Sequence, residues 1–299
     1  MARPAPSVDR IVSVLNFLAA HPGESFTLSE LSRRLDLNKA TCHAMLATLT
    51  DAGYLLRHPT RMTYSLGPTL IALGSAAAQG QFQAVDFARD EMYEISEELG
   101  LQCVASTAVG EEIVILARTG ARTALGESVE LGQRLPLVPP LGTVFMAWAR
   151  PEEIDRWLQR QRSWATEAQL DHYAAALAGV RERGYAVALD VEARARLGQA
   201  LAELVGEARG RETRQAMERL IDELGPEEYV LTDLVAQRAY HVNTIGAPVF
   251  GAGGEVELGL FLVGFRDQLT GEDVSGHGER LRDAARRVTK AIHGIEPTL

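Results

Sequence analysis

Two helix starts stand close together near the N-terminus, and they constrain the fold of this chain more than any other feature. Thr27, with Glu30 three residues later, forms a capping box that opens a short helix. Asn38 can cap a second helix, which runs from Lys39 to Ala52 before Gly53. Only a tight turn at residues 36–38 separates the two. The apolar residues of both helices recur three or four apart, at Leu28, Leu31, Leu35, Cys42, Met45, Leu46 and Leu49.

The flanking residues extend this pair into a winged helix-turn-helix over residues 1–67. A first helix begins at Ser7 and ends at His21-Pro22-Gly23. Residues 54–57 and 62–66 are predicted as two short strands around the turn at 58–61. Three short helices followed by a hairpin are the elements of that fold.

The face of the third helix that points away from the apolar stripe is unusually free of acids. It carries Lys39, Thr41, His43, Ala44, Thr48 and Thr50, and the first acid is Asp51. Such a face can approach phosphates and base edges without like-charge repulsion. Arg57 and Arg61 flank the tip of the predicted wing, where they can neutralise phosphates. Two other interpretations stay open, because such residues can simply be solvated and a winged helix can bind another protein.

The charge distribution permits a nucleic-acid partner without establishing one. The net charge is −10, yet residues 1–70 carry seven basic and five acidic residues, so this part nets +2 and the rest −12. Two cysteines, Cys42 and Cys103, exclude a disulfide framework and a four-thiolate metal site. No segment is apolar for long enough to span a bilayer, and Met1 to Pro6 lacks a signal core. We therefore expect a cytoplasmic protein with no membrane partner.

The second part of the chain is predicted to be an α+β domain with an antiparallel sheet. Residues 68–81 are Ala-rich and helical, and form a linker helix. Residues 82–99 form an amphipathic helix that either continues the link between domains or packs on the sheet. Helices are also predicted near 142–149, 152–161, 167–183 and 272–293, and strands near 101–109, 113–118, 128–131, 185–189, 242–250 and 256–265.

Signatures of catalysis are missing from the sequence. It has no phosphate loop, no H-E-x-x-H and no G-x-S-x-G. In the run Gly251 to Gly254, Val256 stands where a dinucleotide fingerprint needs its third glycine, and a strand follows. The histidines lack metal-ligand spacing. We expect no catalytic residues, no metal and no cofactor, although an enzyme fused to a helix-turn-helix is an alternative.

In several short motifs the chain resembles the IclR family of bacterial transcription regulators. The motifs in the first part are Ser7-Val8-Asp9-Arg10, Thr27-Leu28-Ser29-Glu30-Leu31, Lys39-Ala40-Thr41-Cys42-His43, Leu46-Ala47-Thr48-Leu49, Gly53-Tyr54 and Tyr64-Ser65-Leu66-Gly67. Those in the second part are Gly132-Gln133-Arg134-Leu135-Pro136-Leu137, Leu141-Gly142-Thr143, Arg183-Gly184-Tyr185-Ala186 and Ile245-Gly246-Ala247-Pro248-Val249-Phe250.

The resemblance implies a ligand-responsive regulator that binds double-stranded DNA as a homodimer or homotetramer, at palindromic sites. It implies a linker helix and a GAF-like effector-binding domain over residues 82–299. Where the family usually has an Arg after the recognition-helix His, this chain has Ala44, so more of the DNA readout falls on its neighbours. The candidate DNA contacts are Thr27, Ser29, Asn38, Lys39, Ala40, Thr41, His43, Thr48, Arg57 and Arg61.

The family pattern also places an effector pocket in the second domain. The matching positions are Leu141, Gly142, Thr143, Thr244, Phe261 and Val263. The apolar Phe261 and Val263 favour an apolar or aromatic ligand over a small hydrophilic acid. The alternative is that Phe261 simply fills the cavity. The chain also departs from the family by roughly forty extra residues, predicted to form a helical insertion near 195–237.

Overall fold

The computed structural model describes residues 5–19, 21, 23–81, 83–120, 131–160, 166–189 and 230–297. Among these residues the chain divides into two compact units, one up to Gln81 and the other from Gln83 onward. We call the first unit the head and the second the body. Within the part of the chain that the structure describes, no helix has the length and apolarity that crossing a bilayer would require.

The head is a winged helix-turn-helix followed by one further helix, which confirms the predicted fold. Strand β3 lies between β1 and β2 in an antiparallel sheet. The helices are α1 (Pro6–Ala19), α2 (Leu28–Arg34), α3 (Lys39–Asp51) and α4 (Thr69–Gln81), and the strands are β1 (Phe26–Thr27), β2 (Leu55–Arg57) and β3 (Thr63–Leu66).

Two details of the head differ from the sequence prediction. The two-residue strand β1 was not predicted, because it is too short to show an alternating pattern. Strand β3 begins at Thr63 rather than Met62. Met62 has a φ of 55°, in the left-handed region, and therefore belongs to the turn.

One apolar core holds the head together. Helices α1, α2 and α3 bury their stripes against each other and against Phe26, Leu55 and Tyr64 of the sheet. The largest fully buried side chains here are Leu31, Leu46 and Leu55. Burying a leucine contributes about 2 kcal/mol, so this core fixes the angle between α2 and α3.

The body is built on a six-stranded antiparallel sheet, as the alternating strands predicted. Its order is β6-β5-β4-β10-β9-β7, and β8 pairs with β11 in a separate small sheet. The strands are β4 (Gln102–Val109), β5 (Glu112–Thr119), β6 (Arg134–Pro136), β7 (Ala186–Leu189), β8 (Ala239–Tyr240), β9 (Val242–Phe250), β10 (Val256–Val263) and β11 (Leu269–Thr270). The helices are α5 (Gln83–Leu99), α6 (Thr143–Met146), α7 (Pro151–Gln159), α8 (Glu167–Arg183) and α9 (Gly271–Ala291).

Helices cover both faces of this sheet. On one face α5 packs against β4, β5 and β10, and α9 packs against β9. Val85, Ala88, Met92 and Ile95 of α5 are buried in that core, so α5 is an amphipathic helix on the sheet. On the other face α6 packs against β9 and β10, and α8 packs against β7.

Three predicted elements of the body need correction or lie outside the described residues. A strand at 128–131 falls mostly on residues that the structure does not describe, and Leu131 lies in a turn; the edge strand is instead β6. Helix α6 has four residues, not the eight of 142–149. Most of the predicted insertion near 195–237 lies outside the described residues, and the chain is described again from Val230, which bridges to Ala188.

Candidate functional site

Helix α3 is held by one buried side and a capped start. Cys42, Met45, Leu46 and Leu49 are all buried in the core of the head. Asn38 accepts a hydrogen bond from the N–H of Ala40 at 2.9 Å, which satisfies one of the free donors at the helix start. The predicted inward stripe and cap are therefore both present, and the rest of α3 faces outward.

The outer face of α3 consists of Lys39, Ala40, Thr41, His43, Ala44 and Thr48. All of these are exposed except Thr41, which is half-buried. The first turn of the helix has no acidic residue. Among the described residues, the side chains of Lys39, Thr41 and His43 have no hydrogen-bond partner, so they can bond to a ligand. Thr48 donates its hydroxyl hydrogen to the Ala44 carbonyl at 3.0 Å and keeps only its acceptor capacity.

The start of α2 holds Thr27 and Ser29 in different ways. Thr27 is half-buried, and its N–H and hydroxyl both donate to the Glu30 carboxylate, at 2.7 and 2.8 Å. These two bonds lower the pKa of Glu30 below its ordinary value. Ser29 is exposed. Thr27 therefore has mainly a structural task, while Ser29 is accessible to a ligand.

The wing projects Arg57 and Arg61 on a turn ordered by a histidine. His58 Nδ1 accepts from the backbone N–H groups of Thr60 and Arg61, at 3.3 and 3.2 Å. Arg61 is exposed. The Arg57 guanidinium lies 5.9 Å from the centroid of the Tyr64 ring and donates to the Met62 sulfur at 3.2 Å. Both arginines keep their charge accessible at the wing.

The predicted effector residues lie on the face of the body sheet that α6 covers. Gly142 adopts a φ of 90° just before α6, and a Cβ there would collide with Leu137. The Leu141 carbonyl accepts a hydrogen bond from Trp157 Nε1 at 3.0 Å, and Thr143 is buried. The turn that matches the family motif is thus rigidly held.

The three strand positions of the predicted pocket are brought side by side. Thr244 on β9 pairs with Val263 on β10, and Gly246 pairs with Phe261. Phe261 packs in the same apolar cluster as Val144 and Phe145 of α6. Because α6 lies on β9 and β10, all six predicted positions share one face of the sheet.

One polar side chain on this face was not predicted from sequence. Gln102 at the start of β4 is only 5% exposed, and its register partner is Val263. The only signal in the sequence was one amide side chain at the start of β4. Sequence alone could not show which strand of the sheet would lie beside it.

The remaining reactive groups show no sign of catalysis. Burial raises the pKa of Cys103 to about 12 and also raises the pKa of Cys42. Within the described ranges, no group of three His, Cys, Asp or Glu side chains could hold a metal ion. Both thiols are therefore protonated and packed at neutral pH.

Comparison with known proteins gives matches in both units. The model of the IclR helix-turn-helix domain matches residues 7–59, and that of the bacterial transcriptional regulator IclR C-terminal domain matches residues 78–193. The HTH-type transcriptional regulator XynR of Escherichia coli is 27% identical over 186 residues, which are 60% of this chain and 73% of XynR.

Solved structures share the fold over nearly the whole chain. The IclR transcriptional regulator from Alicyclobacillus acidocaldarius has a TM-score of 0.65 at 23% identity, covering 98% of this chain and all of its own. An IclR homologue from Microbacterium hydrocarbonoxydans, complexed with 4-hydroxybenzoate, has a TM-score of 0.63 at 18% identity, covering 96% of this chain and 98% of its own.

The two family models match separate regions, one in the head and one that extends across the first half of the body, and together they cover more than half of the chain. The winged helix-turn-helix and the antiparallel body sheet are the architecture found in the solved relatives. The chain therefore belongs to the IclR family of bacterial transcriptional regulators.

Proposed function

We propose that the chain regulates transcription by laying the outer face of α3 in the major groove of operator DNA. The observation that carries this proposal is an exposed helix face whose first turn has no acid and whose Lys39, Thr41 and His43 side chains have no hydrogen-bond partner in the described parts of the chain. Thr41, His43 and Thr48 are suited to base edges and Lys39 to phosphate. Arg57 and Arg61 of the wing bind the phosphate backbone of the DNA. The starts of α2 and α3, with Thr27, Ser29, Asn38 and Ala40, lie near that backbone.

We assign the parts of the chain to three tasks. Residues 1–67 bind DNA, residues 68–81 link, and residues 82–299 bind the effector, with the insertion near 195–237 as part of that domain. The family models support a division of this kind, since one ends at residue 59 and the other begins at residue 78.

The linker helix α4 supports the assignment of a homodimer as the smallest active form. Among residues 69–77 of α4, whose side chains the structure describes, none is buried, and Ile71 and Leu73 are 77% and 47% exposed. Its sequence has no charged side chain, so two copies can pack without like-charge repulsion. A dimer would place two heads about 34 Å apart, or a multiple of that distance, and would require a palindromic operator.

The effector is proposed to be a small, largely apolar or aromatic molecule. The bound 4-hydroxybenzoate in the Microbacterium homologue supports a single aromatic ring as the scale of ligand. Phe261 and Val263 supply apolar surface in this chain. To change operator occupancy tenfold, the ligand needs to bind two arrangements of the dimer with affinities that differ by about 1.4 kcal/mol.

We assign no enzymatic activity to the chain, because its relatives carry the names of transcriptional regulators. Operator DNA lies in the bacterial cytoplasm, so the proposed function places the protein there.

The test is fluorescence anisotropy with DNA from upstream of the protein's own gene, titrated at several salt concentrations. We expect specific binding that weakens steeply, by about a hundredfold or more, between roughly 50 and 200 mM salt. Equal binding to operator and unrelated DNA, or no binding to either, contradicts the proposal.

The net charge of −10 also suits a winged helix that binds another protein. In that case a protein partner would be captured at salt concentrations where DNA is released.

A further inference from the structure

Gln102 lies almost entirely inside the body, and its side-chain amide keeps its hydrogen-bonding capacity free. It is 5% exposed, and within the described part of the chain no group forms a hydrogen bond with its side chain. Its neighbours Cys103 and Ala105 point into the core under α5 and α9. Since side chains alternate along a strand, Gln102 points to the opposite face, where the predicted effector residues lie. An accessible amide with no protein partner can donate to and accept from a bound molecule at that face.

The strand register places a second unengaged polar group near Gln102. Val263 of β10 pairs with Gln102 on one side and with Thr244 on the other. Thr244 is half-buried, and its hydroxyl has no partner among the residues that the structure describes. Adjacent strands lie about 4.8 Å apart, so the backbones of Gln102 and Thr244 are about 10 Å apart with an apolar residue between them.

The aromatic side chain of Phe261 borders Gln102, Val263 and Thr244 on one side. The Phe261 ring lies over two glycines, because a Cβ at Gly246 would sit 2.5 Å from Phe261 Cε1 and one at Gly259 would sit 2.6 Å from Phe261 Cε2. On its other side the ring packs against Phe145, with centroids 6.4 Å apart. Phe261 is still partly exposed, so it does not completely fill the space above the sheet. A flat ligand can therefore lie beside it, over Val263.

We propose that this site takes an uncharged aromatic ligand whose hydroxyl or carbonyl group is bound by the Gln102 amide and whose opposite end reaches Thr244. This inference rests on the proposed function, because it names the chemical class of the effector. Both groups are neutral, and a buried carboxylate would need a paired charge. Arg118, which the register places opposite Val104 on this face, is already engaged by another group.

The experiment compares a neutral and an anionic probe of the same shape. Methyl 4-hydroxybenzoate and 4-hydroxybenzoate are titrated by calorimetry into the full chain and into Gln102→Met, Thr244→Val and the exposed control Gln159→Met. We expect the wild type to bind the ester at least about tenfold more tightly than the acid. Gln102→Met and Thr244→Val each weaken ester binding by about three- to tenfold, and Gln159→Met leaves it unchanged.

A thermal melt without ligand separates ligand binding from a structural role. Removing an amide that lacks a protein partner should leave the melting temperature of Gln102→Met equal to that of the wild type, or higher. A lower melting temperature, or failure to fold, shows that the amide is structural and overturns the inference. The inference is also overturned if the wild type binds neither probe or binds the acid more tightly than the ester. The same holds if Gln102→Met or Thr244→Val binds the ester as tightly as the wild type does. Operator binding by the same samples tests the proposed function separately: a protein that binds operator but neither probe overturns only this inference.

Discussion

At the scale of single residues, the two capped helix starts decide how the head presents its surface. Thr27 and Glu30 exchange hydrogen bonds that begin α2, and Asn38 caps α3 four residues after α2 has ended at Arg34. Both caps were predicted from the sequence, because a cap depends only on residues two or three positions apart. The placement of Gln102 and Thr244 on either side of Val263 was not predicted, because strand register alone brings those residues together.

Replacing Thr27 with Ala should reduce the free energy of unfolding by about 1 kcal/mol at neutral pH, since it removes the capping hydroxyl. Ser29→Ala, at an exposed position two residues away, is the control and should have little effect. Urea titrations followed by circular dichroism measure both. Equal stability of Thr27→Ala and the wild type would show that the capping bonds contribute nothing.

The effect of Thr27→Ala should also depend on pH. Hydrogen bonds from Thr27 lower the pKa of Glu30, so their stabilisation is complete above the ordinary carboxylate pKa. It is lost as the pH falls through the lowered value. The difference between the two proteins should therefore narrow below about pH 4. If the difference in free energy of unfolding between the wild type and Thr27→Ala grows as the pH falls, this prediction is wrong.

The two cysteines should be inert in the folded protein. Burial raises the pKa of both thiols, that of Cys103 to about 12, so almost no thiolate is present at pH 8. We expect a thiol reagent such as DTNB to react with neither cysteine on the timescale of minutes, and with both after denaturation in guanidinium. Rapid reaction of one equivalent in the native protein would contradict the packing described here.

At the scale of elements, periodicity predicted most helices and strands, and it failed where contacts outside the element decide. The helix at 83–99 has a spacing that suits either a coiled-coil seam or a sheet face, and only the sheet distinguishes them. Strands β1, β8 and β11 have two residues each and carry no readable alternation. Helix α6 ends at Met146, half the predicted length.

The wing should contribute to DNA binding through charge alone. Arg61 is exposed on a turn ordered by His58, so Arg61→Ala removes a phosphate contact without disturbing the core. The slope of log affinity against log salt should fall in magnitude by about 0.9, with similar loss on specific and unrelated DNA. Arg266→Ala, at an exposed position in the body, is the matched control. An unchanged slope for Arg61→Ala would show that Arg61 of the wing does not contact the DNA.

At the scale of the whole molecule, α4 carries the prediction about assembly. Helix α4 has 13 residues, and none of the side chains described in it, at residues 69–77, is buried. Such a helix is only marginally stable in water, so its exposed apolar side chains need a cover. Sequence identified this helix and its lack of charge. Its need for a cover follows from the structure, where Ile71 is 77% exposed.

Ile71→Glu should convert the proposed dimer to a monomer, because two carboxylates would face each other across the proposed interface. Size-exclusion chromatography with light scattering reports the mass directly. Ala76→Glu, at an exposed position on the far side of α4 from Ile71, tests whether the effect is specific to the side that carries Ile71. A wild-type monomer at micromolar concentration, or an unchanged dimer in Ile71→Glu, would rule out α4 as the contact.

A triple variant gives the sharpest test of whether the outer face of α3 reads DNA. Lys39, Thr41 and His43 are replaced together by Ala, which keeps the helix and leaves the buried stripe untouched. Lys290→Ala, at the only other lysine, is the charge control. Anisotropy with operator and unrelated DNA should show a loss of at least about a hundredfold in operator affinity and of most sequence preference, with an unchanged melting temperature. Operator binding as tight and as selective as that of the wild type would contradict the account.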